Sequence, residues 1–341
     1  MTRSTNNLLR FAVITLALIG MIGTCAEANA AAPSTYNASQ IVDFDGDGRS
    51  DPTLFDTTIA RWFKYDFFQG TTDQYDIGSP GVKQAVGDYD GDGRSDIAYY
   101  YDNPITGVRM WHTTDSISPK RDIAWGSPGD ISVPADYDGD GKTDIAVFRP
   151  SQAAWYIRLS TTNSTRIEYF GYASDKLVPA DYDGDGIADV AVMRPSLGAW
   201  YILYSSDHSF HAITWEVTSL AGDVMVPADY DGDGLADIGV YRHVGGLWTI
   251  LESSSGSYRT AQFGHGVYTG DPNQAEVEGD NLDLPMPGDF DGDGIIDIAV
   301  WNTDSKIVNV LPSSSSIMTS MPVGTETSRP VGMSVVAYYL E

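Results

Sequence analysis

The sequence has almost no cysteine, a single residue, Cys25, in 341. That excludes a disulfide framework and cysteine-built metal clusters, and it leaves no thiol nucleophile beyond position 25. Basic residues are scarce as well. Twenty Lys and Arg stand against 47 Asp and Glu, a formal net charge of -27, so the basic footprint of a nucleic-acid binder is missing. The five histidines (His112, His208, His211, His243, His265) share no spacing suited to a metal or a catalytic pair, and there is no Gly-x-Ser-x-Gly elbow. No stretch after residue 30 keeps the apolar period of a helix, which predicts little helix.

The one long apolar run lies at the start. Arg3 and Arg10 precede residues 11–22, and Ala28-Asn29-Ala30 offers small residues for cleavage, so residues 1–30 read as a signal peptide. The run is short for a bilayer span. The expectation is an exported, extracellular mature chain without cysteine and without a transmembrane span. A lipoprotein cut before Cys25 and lipidated there is the alternative. Residues 31–40, rich in Ala, Ser, Thr and Asn, read as a linker, which leaves 41–341 for the fold.

What the chain does have is aspartate at a fixed spacing. Residues 136–144 read Asp-Tyr-Asp-Gly-Asp-Gly-Lys-Thr-Asp, with carboxylates at positions one, three, five and nine and glycine at six. A tight loop of this pattern turns hard oxygen ligands inward at a spacing suited to Ca2+. The same pattern recurs from Asp43, Asp88, Asp181, Asp229 and Asp289, and all four ligand positions are aspartate every time. The candidate ligands are therefore Asp43, Asp45, Asp47 and Asp51; Asp88, Asp90, Asp92 and Asp96; Asp136, Asp138, Asp140 and Asp144. In the later copies they are Asp181, Asp183, Asp185 and Asp189; Asp229, Asp231, Asp233 and Asp237; Asp289, Asp291, Asp293 and Asp297. Position seven offers its backbone carbonyl, and its side chain varies: Arg49, Arg94, Lys142, Ile187, Leu235, Ile295. An EF-hand would need a bidentate Glu at position twelve, where Leu54, Tyr99, Val147, Val192, Val240 and Val300 stand instead. Like charges packed this closely repel without a cation. The expected cofactor is Ca2+, about six ions, one per repeat.

From Asp43 to Asp88, Asp136, Asp181 and Asp229 the copies follow at a nearly constant interval, and that interval is the length of a four-stranded propeller blade. The fourth unit shows the grammar: a short strand enters the acidic loop, residues 189–193 leave it as a strand, and 199–204 and 210–215 supply two more, separated by turn residues. The fold class is therefore all-β, a propeller of six blades, with seven and one degenerate blade as the alternative. Trp62, Trp155, Trp200 and Trp248 stand at one shared position of the repeat, Trp111 is displaced by an insertion, and the sixth unit has Val308 there. Packing between blades is the expected role, and a carbohydrate platform the competing one. Arg149, Arg194 and Arg242 also share a position, at the end of the apolar run that follows the loop, as structural ion pairs or as contacts for an anionic ligand. The interval from Asp229 to Asp289 is longer than the rest, and its extra residues, in 264–284, make a surface loop or a binding loop. The tail 330–341, with its strand-like run 335–340, is expected to supply a strand that closes the ring.

The units at 133–147 and 226–240, Val-Pro-Ala-Asp-Tyr-Asp-Gly-Asp-Gly-x-x-Asp-Ile-(Ala/Gly)-Val, resemble the FG-GAP or VCBS repeats of integrin-α-like β-propellers, over nearly all of the mature chain. That resemblance implies Ca2+ between the first two strands of each blade. It also implies roles in adhesion, lectin-type glycan binding or scaffolding. The expected function is a monomeric, non-catalytic extracellular recognition module for a glycan or a protein, with no nucleic-acid partner. A pure scaffold, or a propeller-fold polysaccharide lyase or glycosidase, is the alternative.

Overall fold

The computed structural model describes residues 42–66, 70–114, 121–215, 223–264, 283–315, 317–324 and 328–331. Each repeat of the sequence becomes one antiparallel sheet. Blade 1 holds Thr53–Asp56 (β1), Arg61–Asp66 (β2) and Thr71–Asp76 (β3); blade 2 holds Lys83–Gln84 (β4), Ile97–Asp102 (β5), Arg109–Thr114 (β6) and Arg121–Ala124 (β7). Blade 3 is Ile131–Ser132 (β8), Ile145–Arg149 (β9), Ala154–Arg158 (β10) and Thr165–Tyr169 (β11). Blade 4 is Lys176–Leu177 (β12), Val190–Arg194 (β13), Ala199–Leu203 (β14) and Phe210–Thr214 (β15). Blade 5 is Val224–Met225 (β16), Ile238–Arg242 (β17), Leu247–Leu251 (β18) and Tyr258–Gln262 (β19). Blade 6 is Asp283–Pro285 (β20), Ile298–Asn302 (β21), Ile307–Leu311 (β22) and Thr319–Pro322 (β23). The last strand, Ser328–Val331 (β24), returns to β1 and gives blade 1 its fourth member, in the order β24-β1-β2-β3. The molecule is thus a six-bladed β-propeller, with no helix among the described residues.

The closing strand comes earlier than the run expected to supply it: 335–340 falls outside the described residues, and Thr53↔Val331 through Asp56↔Ser328 make the closure. The first strand of most blades is very short, because its continuation turns at once into the acidic loop. The second strands are buried on both faces, as in Val190–Arg194 and Ile298–Asn302, which explains their unbroken apolar runs. The fourth strands alternate exposed and half-buried, as the outer edge of a blade should.

The tryptophans settle their own role. Trp62, Trp111, Trp155, Trp200 and Trp248 are fully buried in the blade cores, so none can serve as a carbohydrate platform. Indole Nε1 of Trp62, Trp111, Trp155 and Trp248 donates to the carbonyls of Ile77, Trp125, Phe170 and Phe263 at the start of the link to the next blade. Blade 6 keeps this post by another route. Val308 faces Trp301 across the β21–β22 pair, and Trp301, fully buried, donates to Val323 in the same way. The exception in the sequence is a cross-strand exchange in the fold.

The arginines that end the second strands are structural. Arg149, Arg194 and Arg242 grip Asp130, Asp175 and Asp223 with two nitrogens each at 2.8–3.0 Å, tying the second strand to the loop ahead of the first. Asn302 does the equivalent to Asp283 in blade 6 at 2.6 Å. Of the long insertion only Gly264, Asp283 and Leu284 are described; 265–282 lie outside the described residues, as do 1–41 with Cys25 and the signal and linker segments. Among the described residues no helix is long and apolar enough to cross a membrane.

Candidate metal centres

Each acidic loop directly precedes the second strand of its blade. In blade 3 the base of the loop is a bridge between Ala135 and Asp144, whose N–H donates to the Ala135 carbonyl at 2.8 Å. Asp136 organises the turn. Its Oδ1 accepts from Gly139 N at 2.7 Å and its Oδ2 from Gly141 N at 2.8 Å. Both glycines have positive φ, 76° and 79°, which a side chain would oppose. Asp144 accepts from Tyr137 N and from Ser160 N, at 2.9 and 2.6 Å. Tyr137 anchors the other end by donating its hydroxyl to the Val133 carbonyl.

The result is three carboxylates turned on one point. Asp136, Asp138 and Asp144 each bring one oxygen within 4.8 Å of the others, and so do Asp43, Asp45 and Asp51; Asp88, Asp90 and Asp96; Asp181, Asp183 and Asp189; and Asp229, Asp231 and Asp237. The sixth loop repeats the same internal hydrogen bonds around Asp289 and Asp297. Two oxygens on one Ca2+, each at about 2.3–2.6 Å, lie at most about 5 Å apart, so the spacing fits that ion. Asp138 Oδ1 is buried without a hydrogen-bond partner, a lone pair left for a cation. Burial pushes Asp51, Asp144 and Asp189 up to about 7 and Asp237 and Asp297 up to about 6, the behaviour of carboxylates that need a positive charge.

The carboxylates at position five take a different post. Asp140 Oδ1 accepts from Lys142 N, and its Oδ2 accepts the hydroxyls of Ser160 and Thr161 at 2.9 and 2.7 Å. Against the burial that would raise it, those hydroxyls hold Asp140 below the ordinary carboxylate range. Ser205, Ser253 and Ser313 bind Asp185, Asp233 and Asp293 alike, while the next serines, Ser206, Ser254 and Ser314, bind the position-three aspartates Asp183, Asp231 and Asp291. This hydroxyl pair was not singled out from the sequence. Its signal was there: Ser160-Thr161, Ser205-Ser206, Ser253-Ser254 and Ser313-Ser314 stand at the same place in four of the repeats.

The loops also join one another. The carbonyl of the first Asp in each loop accepts from the position-eight N–H of the next: Asp43 from Ser95, Asp88 from Thr143, Asp136 from Ala188, Asp181 from Ala236, Asp229 from Ile296, and Asp289 from Ser50. The distances are 2.5–2.9 Å, and the sixth bond returns to the first loop. Position-seven side chains follow the same circuit. A Cβ on Gly139 would stand 2.9 Å from Ile187, one on Gly184 3.2 Å from Leu235, and one on Gly292 3.1 Å from Arg49. Position seven therefore lends more than a backbone carbonyl, because its side chain roofs the preceding loop.

The four described histidines are spread over three blades. His112 pairs with Asp122, His211 with Ser209, and His243 with the Asp283 carbonyl, while His208 lies exposed near Glu168.

Six four-stranded blades, each with an acidic loop leading into its second strand, define an acidic-loop propeller. Residues 136–192 and 181–240 match the family model of the FG-GAP-like repeat, so this six-bladed β-propeller carries FG-GAP-like repeats across that span. A comparison with curated proteins gives no match. Among solved structures, a catalytically inactive virginiamycin B lyase from Staphylococcus aureus with quinupristin aligns at 10% identity and a TM-score of 0.44, over 86% of this chain and 91% of that one. AztD from Citrobacter koseri aligns at 10% identity and a TM-score of 0.45, over 83% and 96%. A protein from Lactobacillus plantarum aligns at 8% identity and a TM-score of 0.45, over 81% and 82%. Likeness at this level says nothing of chemistry.

Proposed function

We propose that this chain is an exported, calcium-stabilised recognition module without catalytic activity, and that its ligand is a glycan held at the seam of blades 3 and 4. The loops supply the calcium part of this reading: Asp136, Asp138 and Asp144 and their counterparts would hold the ion, with position five and the position-seven carbonyl as further donors. A bound Ca2+ supplies positive charge that cross-links the two ends of each loop.

The observation that supports a ligand there is an exposed band of aromatic rings. Tyr169, Tyr172 and Phe210 are 74%, 60% and 59% exposed. Arg194, fixed by Asp175, lies between the rings of Tyr172 and Tyr201 at 4.2 and 4.5 Å, and Phe210 stacks on Tyr201 with 5.9 Å between centroids. Rings held in place at low entropic cost, with a flat guanidinium between them, suit the C–H faces and hydroxyls of a sugar. Exposed aromatic rings of this kind support a contact site there.

A glycan-array screen of the calcium-loaded protein tests the reading. Binding that falls at least tenfold in a Tyr172→Ala, Phe210→Ala variant of unchanged circular dichroism is the expected result. Binding to no glycan, or binding that ignores the double substitution, refutes the aromatic site, and turnover of a bound polysaccharide would move the chain to the enzymes.

A further inference from the structure

The hydrogen bonds that join one loop to the next run between the very groups that would hold the ions. Two peptide groups make each link. The first lies between positions one and two of a loop. Its N–H donates to the position-nine carboxylate of the same loop: Phe44 to Asp51, Tyr89 to Asp96, Tyr137 to Asp144, Tyr182 to Asp189, Tyr230 to Asp237 and Phe290 to Asp297, all at 2.8–2.9 Å. Its carbonyl, that of the first Asp, accepts the position-eight N–H of the following loop. The second peptide group lies between positions seven and eight, and its carbonyl is the backbone ligand offered in that following loop. No peptide bond among the described residues is cis, and in a trans peptide the N–H and C=O point opposite ways. A carbonyl turned into its own loop therefore goes with an N–H turned out to the loop before it. The position-eight residues Ser50, Thr143, Ala188, Ala236 and Ile296 are buried, which keeps water from competing for their bonds.

From this unbroken chain of bonds we infer that the loops take up Ca2+ cooperatively, each filled loop strengthening binding in the loops on either side of it, around a closed ring of six. An empty loop gathers carboxylates that repel. When it opens, it withdraws a donor from the loop before it and an acceptor from the loop after it. A filled loop holds both in place, so its neighbours are spared part of the cost of ordering. One net hydrogen bond corresponds to a factor of about two to twelve in affinity. Long-range electrostatics has the opposite sign, since a filled loop attracts a further cation less than an empty one. Salt screens that effect and leaves a buried hydrogen bond intact, so ordering wins at about 0.15 M ionic strength.

The inference rests on the calcium reading above, and the test separates the two. Numbering the loops by their blades, Asp138→Asn disables loop 3 while sparing its internal bonds, because Asp138 Oδ1 has no hydrogen-bond partner to lose. Calcium titrations of the full native chain and of the variant, in about 0.15 M salt, are followed loop by loop through amide hydrogen exchange. The native chain should titrate with a Hill coefficient above one. In the variant, loops 2 and 4 should need about threefold more Ca2+ for protection, while loop 6, across the ring, shifts least. An equal shift in all five remaining loops would mean that calcium acts only through global folding, and tighter binding in loops 2 and 4 would mean that electrostatics dominates. Either result, or no shift at all, overturns the inference and leaves the calcium reading standing; a native chain that binds no Ca2+ overturns both. If Asp138→Asn fails to fold, Asp183→Asn in loop 4 makes the same comparison, with loops 3 and 5 set against loop 1.

Discussion

Removing calcium should cost this propeller much of its stability. Two carboxylates 4.8 Å apart, the outer limit within each loop, repel by about 3.5 kcal/mol at an effective dielectric of about 20. Each loop gathers three of them, so the metal-free fold must protonate some or open. An ion at tenfold excess over its dissociation constant adds about 1.4 kcal/mol, and six filled loops add about 8 kcal/mol together. That matches the whole net stability of many domains. For a chain of this size about 1 kcal/mol moves Tm by roughly 2 °C, so the expected gap is on the order of 16 °C. Melting curves followed by tryptophan fluorescence, in excess Ca2+ and in EDTA with Mg2+ as a control, read it directly. A gap below about 3 °C would refute the reasoning, for it would mean that the loops hold themselves together by hydrogen bonds alone.

Without metal, stability should fall as pH rises from about 4 to 7. Asp51, Asp144, Asp189, Asp237 and Asp297 have folded values raised to about 6 or about 7, so the folded state binds more protons than the unfolded one across that window. Urea melts in EDTA at about pH 5 and about pH 7.5 check it, and calcium should reverse the order. Gly139→Ala should destabilise more than Gly141→Ala. Both positions carry a left-handed backbone strain of about 1 kcal/mol, but only the first places a Cβ 2.9 Å from Ile187, a contact that adds about 1–2 kcal/mol in chemical denaturation. Arg194→Ala leaves the fully buried Asp175 carboxylate unpaired and should cost about 3 kcal/mol in urea unfolding. Arg194→Lys should recover only part of it, since an ammonium cannot make the two-pronged contact.

The period, the strand grammar and the acidic loops were all legible in the sequence, because each is a local pattern repeated six times. What stayed hidden lies between units. Position seven varies from Arg49 to Ile295 and so looks free, yet it covers a glycine of the preceding loop, one whole repeat away in the chain. The variation is tolerated because that cover needs bulk, and both aliphatic stems and long basic side chains provide it. Val308 looked like a lost tryptophan because register counts along one strand, while packing is satisfied from either strand of a pair, here by Trp301. Lys64 sits where an isoleucine would be expected, but only the fold shows its ammonium facing Asp45 and Asp51. The closing strand was placed too late, because the more apolar 335–340 outweighed the short β24, whose Pro330 is buried opposite Leu54.

The way the ring closes bears on how the chain is made. Blade 1 leaves the ribosome before the other five, but its fourth strand is spelled by residues 328–331. Blades 2 to 6 can each zip from contiguous sequence as they emerge, whereas the first blade must wait, three-stranded and with one edge bare, until the residues that follow blade 6 arrive. A nonsense codon or a protease cut just ahead of β24 would therefore injure the amino-terminal blade, at the opposite end of the sequence from the lesion. Truncated chains should expose β1 as a sticky edge and join to one another through it.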